Sequence, residues 1–183
     1  MNRFGFVIAV LAISAACLPQ TALAQEASGI PDEIVKELDR LVGTWKAEGK
    51  IGDKQQSGEF TLRWARTEDK KKICLSGRFL FVVAGEETRG VTLIGWNAAK
   101  QCIEDRGFDA SGGNGVLYWK IDSPTLWKGE SIDVADGKTV TGKVFLVRKS
   151  PSEFVFEAEY ENGDVSRSVM RKVKRERKKT AKE

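Results

Sequence analysis

Two arginines near the C-terminus are the polar residues best suited to bind a ligand. The segment "DVSRSVMRKV" alternates in character, so Arg167 and Arg171 share a strand face with Val165, Val169 and Val173. If these valines point into a core, both guanidinium groups point there too. A buried guanidinium group needs a partner, because burying an unpaired charge is unfavourable. The pattern therefore predicts either an anion clamp for an acidic ligand or a contact that closes one end of the domain.

Aromatic side chains form a second candidate binding surface. The chain contains five tryptophans and nine phenylalanines. Aromatic residues on strands commonly form plain core, but a barrel of about eight to ten strands is also wide enough to enclose a cavity. If there is a cavity, we expect five residues to line it first: Trp45, Phe60, Trp64, Phe79 and Phe81.

The residues of common catalytic and metal sites are scarce. The sequence has no histidine, which excludes Ser-His-Asp and Cys-His catalysis and any histidine-ligated metal or haem. Adjacent carboxylates such as Glu104 and Asp105 point to opposite faces of a strand, so we predict that they are solvated charges. No phosphate-binding motif lies between a strand and a helix. We therefore expect no enzyme activity, no metal and no cofactor.

Two of the three cysteines, Cys74 and Cys102, fall near the starts of the third and fifth predicted strands. Those strands would be second neighbours, about 9–10 Å apart. A disulfide needs Cα atoms within roughly 7 Å of each other. The spacing leaves two alternatives open, a pair of buried thiols or a disulfide formed at a frayed strand end.

The glycine-rich stretch "FDASGGNGVLYW", residues 108–119, raises the possibility of an anion-binding loop. Such a loop needs a helix after the glycines, so that the helix N-terminal amides face the anion. A strand, "VLYWKI", follows instead. We therefore predict a hairpin with glycines at positive φ, in which Asp109 and Ser111 cap turn amides.

Many short strands must position these residues. After Gly43, apolar and polar residues alternate along about ten segments, and turn signals such as Asp136-Gly137 and Asn162-Gly163 separate them. No connection is long enough for a crossover helix. We predict an all-β fold, an antiparallel up-and-down barrel of about ten strands, with a sandwich as the alternative. The preceding segment "IPDEIVKELDRLVG" predicts one short amphipathic helix.

The two ends of the chain differ from this domain, which we place at residues 25–173. Residues 1–24 have the pattern of a signal peptide, with Arg3, an apolar run and the cleavage motif ending at Ala24. Lipidation of Cys17 is the alternative. No other apolar run reaches the ~18–20 residues of a membrane-spanning helix. We expect an exported protein, periplasmic or secreted.

Charge is concentrated in the tail, residues 174–183. From residue 171 onward there are eight lysines and arginines against two acidic residues, whereas the whole chain has a net charge of +4. The domain itself is therefore mildly acidic, which gives no support for nucleic-acid binding. We expect the tail to be a solvated end, with contact to an anionic surface as the alternative.

Two motifs carry a resemblance to known families. Gly43-Thr44-Trp45, just after the predicted helix, is similar to the G-x-W start of calycin barrels such as lipocalins and fatty-acid-binding proteins. The stretch from Leu93 to Trp119 resembles an exported bacterial lipocalin-like domain family of unknown function, with I-G-W at 94–96 and F-D-x-S-G-G-x-G at 108–115. Asn97 stands where that family commonly has Asp. The resemblance covers about residues 38–172 and implies a calycin-type barrel but no activity.

The resemblance also bears on the arginines. In fatty-acid-binding proteins, inward arginines near the C-terminus hold a ligand carboxylate, although Val169 and Val173 here replace that family's tyrosine. In lipocalins, an arginine of the last strand stacks on the G-x-W tryptophan, which implies Arg171, or else Arg167, on Trp45. We expect a non-enzymatic barrel that binds a small apolar or amphipathic ligand with an acidic end. A filled barrel serving as a structural or envelope-interaction module is the alternative, followed by an enzyme with an unrecognised site.

Overall fold

A computed structural model describes residues 29–135 and 137–174 of the chain. The predicted signal peptide, Cys17 and nearly all of the basic tail lie outside the described residues. None of the helical segments within the described ranges has the length and apolar character that crossing a membrane requires.

One helix precedes ten strands. The helix α1 spans Asp32–Leu41. The strands are β1 Gly43–Ile51, β2 Lys54–Arg66, β3 Lys72–Val83, β4 Glu86–Asn97, β5 Cys102–Asp109, β6 Asn114–Ser123, β7 Leu126–Ala135, β8 Lys138–Ser150, β9 Glu153–Tyr160 and β10 Val165–Lys172. Each strand pairs antiparallel with the next, and β1 also pairs with β10, so the sheet closes into a barrel. The predicted ten-stranded up-and-down barrel with one short helix is confirmed, and the sandwich alternative is wrong.

Alternation and turn chemistry explain why these segments form the strands. Leu62 and Leu75, from apolar-alternating stretches, are buried inside the barrel. Two of the predicted hairpin turns contain a glycine at positive φ, Gly137 at 69° and Gly163 at 88°. A side chain at these positions would be strained, so glycine favours the tight reversal.

The helix closes one end of the barrel. Its residues Ile34, Leu38 and Leu41 are buried at helical spacing. The indole Nε1 of Trp45, at the start of β1, donates a hydrogen bond to the Leu41 carbonyl oxygen at 2.8 Å. This contact ties the C-terminal end of the helix to the first strand.

The buried hydrophobic core lies against this helix. Around Trp45 and Leu38 it gathers large side chains from nearly every strand: Leu62, Leu75, Ile94, Ile103, Trp119, Trp127, Val144, Leu146 and Phe154. Toward the other end of the barrel, the inward side chains leave a cavity between them. The fold therefore has a filled end and an end with space.

Candidate functional site

The barrel interior contains a cavity of about 500 Å³. Its wall is largely apolar and includes Phe60, Phe79, Phe81, Leu117 and Phe156. The cavity extends to the strand ends opposite the helix, where Ile51, Val83, Asn114 and Tyr160 border it. The interior is thus not filled, contrary to the alternative of a packed barrel. A volume of this size suits a small-molecule ligand.

Asp109, at the end of β5, is one of three aspartates that border this apolar cavity. The other two are Asp105 in the middle of β5 and Asp133 in β7. They lie on second-neighbour strands, with β6 between them. In the register, Asp105 is opposite Leu117 and Asp133 is opposite Gly115 of β6. We call Asp105 and Asp133 the carboxylate pair. The prediction that Asp105 is a solvated surface charge is wrong, because closure of the sheet turns its face inward.

The surroundings of the carboxylate pair favour protonation. Burial, together with the charge of Asp133, raises the pKa of Asp105 to about 6, although a hydrogen bond from Thr92 opposes this. Burial also raises the pKa of Asp133. Nearby, burial and the negative charges of Asp133 and Asp164 raise the pKa of Tyr160 to about 12. The three shifts have the same cause, a poorly solvated interior without a compensating positive charge.

Few polar partners reach this part of the interior. Thr92 of β4 donates its hydroxyl to Asp105. Ser131 lies two residues before Asp133 on the same strand face and is only 2% exposed. Its side chain favours the charged form of Asp133 and so opposes the rise of that pKa. Even so, its Oγ makes no hydrogen bond of ordinary geometry with any residue that the structure describes. Across the barrel, Gln56 Nε2 donates to Ser168 Oγ at 2.7 Å.

Arg167 and Arg171 point away from the cavity. Both guanidinium groups are exposed on the outer face, where Arg167 pairs with Glu157 at 2.9 Å and Arg171 pairs with Glu153 at 3.0 Å. The prediction that these arginines point inward is wrong, and an anion clamp built from them has no place in the cavity. No lysine or arginine of the described residues lines it.

Register explains the outward arginines. On β9, Phe154, Phe156 and Ala158 face inward, and they lie opposite Met170, Ser168 and Ser166 of β10. Ser166 and Ser168 are therefore the buried side chains of the last strand, whereas Val165 is 55% exposed. The glutamates at 153 and 157, on the polar face of β9, were the sequence signal that the facing arginines lie outside.

The predicted aromatic lining divides into two groups. Phe60, Phe79 and Phe81 border the cavity as expected. Trp45 and Trp64 do not, because they lie at the helix end. Trp45 is 1% exposed in the core, and Trp64 Nε1 donates to Asp39 Oδ1 at 2.6 Å.

The cation next to Trp45 is a lysine. Lys172 Nζ lies 5.1 Å from the centroid of the Trp45 ring, so neither Arg171 nor Arg167 stacks there. Lys172 pairs with Trp45 in the register and also donates to the Arg40 carbonyl oxygen at 3.3 Å. The predicted cation–π closure of the barrel end thus exists with the neighbouring residue.

Cys74 and Cys102 are free thiols on β3 and β5, with β4 between them as the spacing predicted. Burial raises the pKa of both thiols. The structure therefore has the two-thiol alternative and not the disulfide. A high thiol pKa is typical of structural cysteines and not of nucleophilic ones.

The glycine-rich stretch forms the predicted hairpin between β5 and β6. The Asp109 carboxylate accepts hydrogen bonds from the backbone amides of Ser111 at 2.8 Å and Gly113 at 2.9 Å. Only Gly112 has positive φ, at 90°. A Cβ atom would lie 2.3 Å from Asp109 at Gly113 and 2.4 Å from Asp133 at Gly115, so these two glycines permit close approach of carboxylates.

A second cleft, of about 510 Å³, lies between α1 and the adjacent strand ends. It is bordered by Trp96 and Trp119 and by charges of both signs, among them Glu33 and Lys120, which are exposed. In the part of the chain that the structure describes, no group of three or more histidine, cysteine, aspartate or glutamate side chains is placed to hold a metal ion. Exposed charges border the cleft, whereas the wall of the barrel cavity is largely apolar, so the barrel cavity is the better candidate site.

Comparison with known proteins shows similarity to solved barrels only. No protein-family model and no curated protein matches the chain. A redesigned β-barrel, mFAP1, bound to DFHBI is 12% identical, with a TM-score of 0.41 over 74% of this chain and 97% of that one. A de novo designed fluorescence-activating β-barrel is 13% identical, with a TM-score of 0.42 over 74% and 96%.

The S-type phycobiliprotein lyase CPES from Guillardia theta is 11% identical, with a TM-score of 0.38 over 78% of this chain and 94% of that one. Similarities this low do not support inference of a shared ligand or activity. The resemblance to exported lipocalin-like domains therefore stays a prediction from the sequence motifs.

Proposed function

We propose that this protein binds a small, largely apolar molecule inside its barrel and does not transform it. The observation that carries the proposal is the cavity of about 500 Å³, with phenylalanines in its wall and access at the end opposite the helix. Burial of apolar ligand surface against such a wall supplies the main driving force. The absence of catalysis remains part of the proposal, supported by the histidine-free sequence.

The cavity changes the expected ligand chemistry. The sequence favoured a ligand with an acidic end, held by Arg167 and Arg171, but both arginines form ion pairs on the outer surface. An anionic ligand in this cavity would instead meet the carboxylate pair. Repulsion between like charges in a poorly solvated interior opposes its binding.

Gly107 offers a direct test of the binding site. It borders the cavity, and a Cβ atom there would meet nothing closer than the Val91 carbonyl oxygen at 3.8 Å. Gly107→Leu therefore places a side chain into the cavity without a backbone clash. We expect wild type to bind the neutral fluorescent probe N-phenyl-1-naphthylamine and Gly107→Leu to lose at least about tenfold in affinity.

Arg106→Gln is the matched control, because Arg106 adjoins Gly107 on β5 but is exposed on the outer face. It should bind the probe as wild type does, and circular dichroism should show that both variants are folded. Equal probe binding by wild type and folded Gly107→Leu would contradict binding in the barrel.

We further propose that the protein is exported, with cleavage after Ala24. The motif at residues 22–24 and the preceding apolar run support this proposal. Mass spectrometry of the protein from its own cells would show Gln25 as the first residue. An acylated Cys17 at the N-terminus would support the lipoprotein alternative instead. Contact of the basic tail with anionic surfaces remains a prediction.

A further inference from the structure

The carboxylate pair lacks the partners that other carboxylates of this barrel have. On the outer face, Glu104, Glu153 and Glu157 each pair with an arginine. Among the residues that the structure describes, no lysine or arginine forms an ion pair with Asp105 or Asp133. A charge enclosed in protein is unfavourable without such a partner.

A second observation concerns a buried hydroxyl beside the same carboxylates. Ser131 is 2% exposed, faces the interior beside Asp133, and has a hydroxyl that makes no hydrogen bond of ordinary geometry to the described residues. Ser131 Oγ would lie 3.2 Å from a Cβ atom built at Gly142. Gly142 is on β8, which lies between the strands that carry Ser131 and Tyr160. Buried hydroxyls are normally satisfied. Carboxylates without a positive partner and a buried hydroxyl without a well-formed hydrogen bond therefore lie along one side of the cavity.

The other residues of the cavity wall indicate which kind of cation would fit beside the carboxylate pair. Phenylalanines 60, 79, 81 and 156 and Tyr160 border the same cavity, and aromatic rings attract cations through their faces. A hard divalent metal takes six or more oxygen ligands, and within the described ranges no group of three or more acidic or cysteine side chains is placed to hold one. An organic ammonium group with an apolar body fits both the carboxylates and the rings.

We infer that the cavity selects hydrophobic amines, whose ammonium group is held by Asp105 and Asp133 while the apolar body lies against the phenylalanines. This inference rests on the proposed function, since it names the ligand class of that same cavity. The ammonium group supplies the positive charge that the carboxylate pair lacks. A matched alcohol offers one donor without a charge, and a matched carboxylic acid offers a repelling charge.

A calorimetric titration with three naphthalene derivatives tests the inference. The compounds carry an aminomethyl, a hydroxymethyl or a carboxymethyl group on the same ring and are titrated at slightly alkaline pH. We expect the amine to bind about tenfold or more tightly than the alcohol, as is typical of hydrogen bonds to charged groups, and the acid to bind most weakly. Equal binding of amine and alcohol, or tightest binding of the acid, would overturn the inference.

Variants assign the effect to the carboxylate pair. Asp133→Asn should lower the affinity for the amine about tenfold and leave the affinity for the alcohol nearly unchanged. Asp105→Asn provides the same test if Asp133→Asn folds poorly. Glu104→Gln is the matched control, because it makes the same change in net charge on the outer face of β5. A loss of amine binding in Glu104→Gln as large as in Asp133→Asn would refute a local role.

The two proposals can fail separately. If the neutral probe binds wild type, is excluded by Gly107→Leu, and the amine has no advantage over the alcohol, the cavity binds ligands but the inference about amines is wrong. If neither the probe nor any naphthalene compound binds, both proposals are wrong.

Discussion

Asp105 should make the unliganded protein less stable at neutral pH than it would be with a neutral side chain there. Burial raises the pKa of Asp105 from its ordinary 3.8 to about 6, so the folded state favours the protonated acid more than the unfolded chain does. The direction of the pH dependence of stability follows from this difference in pKa. Below about pH 4 both states are protonated and there is no penalty, between about pH 4 and 6 the penalty grows, and above about pH 6 it is complete.

The pKa difference sets an upper limit on the effect. Because one pKa unit corresponds to about 1.4 kcal/mol, the full penalty is about 3 kcal/mol. Water in the cavity beside Asp105 reduces this value, so we expect Asp105→Asn to raise the free energy of unfolding by about 1–3 kcal/mol at neutral pH. The asparagine can still accept the hydrogen bond that Thr92 donates to this position. The gain should shrink toward zero at about pH 4.

Urea unfolding followed by tryptophan fluorescence across this pH range measures the difference. Asp109→Asn is a control of opposite sign. The Ser111 side chain and backbone amides hold the pKa of Asp109 below its usual range, so its ionised form stabilises the fold above that range and loses this effect as pH falls. Asp109→Asn should therefore be destabilised at neutral pH. A stability of Asp105→Asn that equals wild type, or exceeds it by the same amount at every pH, would refute the account.

Three further predictions concern other parts of the barrel. Arg167→Ala and Arg171→Ala should each change stability by less than about 1 kcal/mol in urea unfolding and leave probe affinity unchanged, because both ion pairs are exposed. Leu38→Ala should lower the free energy of unfolding by about 2–5 kcal/mol, because Leu38 is fully buried between the helix and the barrel. Cys74 and Cys102 should be alkylated by iodoacetamide slowly in the folded protein and rapidly in urea, as measured by intact mass, because burial raises both thiol pKa values. Fast modification in the native state would contradict this environment.

A carboxylate pair that destabilises the empty barrel is consistent with a binding role. Substituting Asp105 by asparagine is expected to stabilise the empty barrel, yet our inference is that it weakens binding of an amine. Functional sites commonly carry such a trade-off, because groups left without partners in the free protein are completed by the ligand. Ligand binding should in turn raise the stability of wild type by mass action.

The sequence alone determined the type of fold and the faces of several strands. In β2 and β9, large aromatic residues alternate with charged ones, so only one assignment of the inner face buries apolar surface. Helix α1 was equally clear from the spacing of Ile34, Leu38 and Leu41. These elements follow from the local sequence, because the spacing of their apolar side chains matches the backbone repeat of a strand or a helix.

The tertiary structure decided the chemistry of the interior. In β10, valines and arginines on one face compete with serines and a methionine on the other, so local pattern does not fix which face is inside. Pairing with β9, whose inner face is clear from its sequence, fixes the inner face of β10. This pairing buries Ser166 and Ser168 and leaves Arg167 outside. Likewise, Asp105 and Asp133 lie on second-neighbour strands, and closure of the sheet into a barrel turns the face that carries both of them toward one cavity. Strand faces follow from local alternation where one face is much more apolar, whereas the charges that meet inside a barrel depend on register between strands.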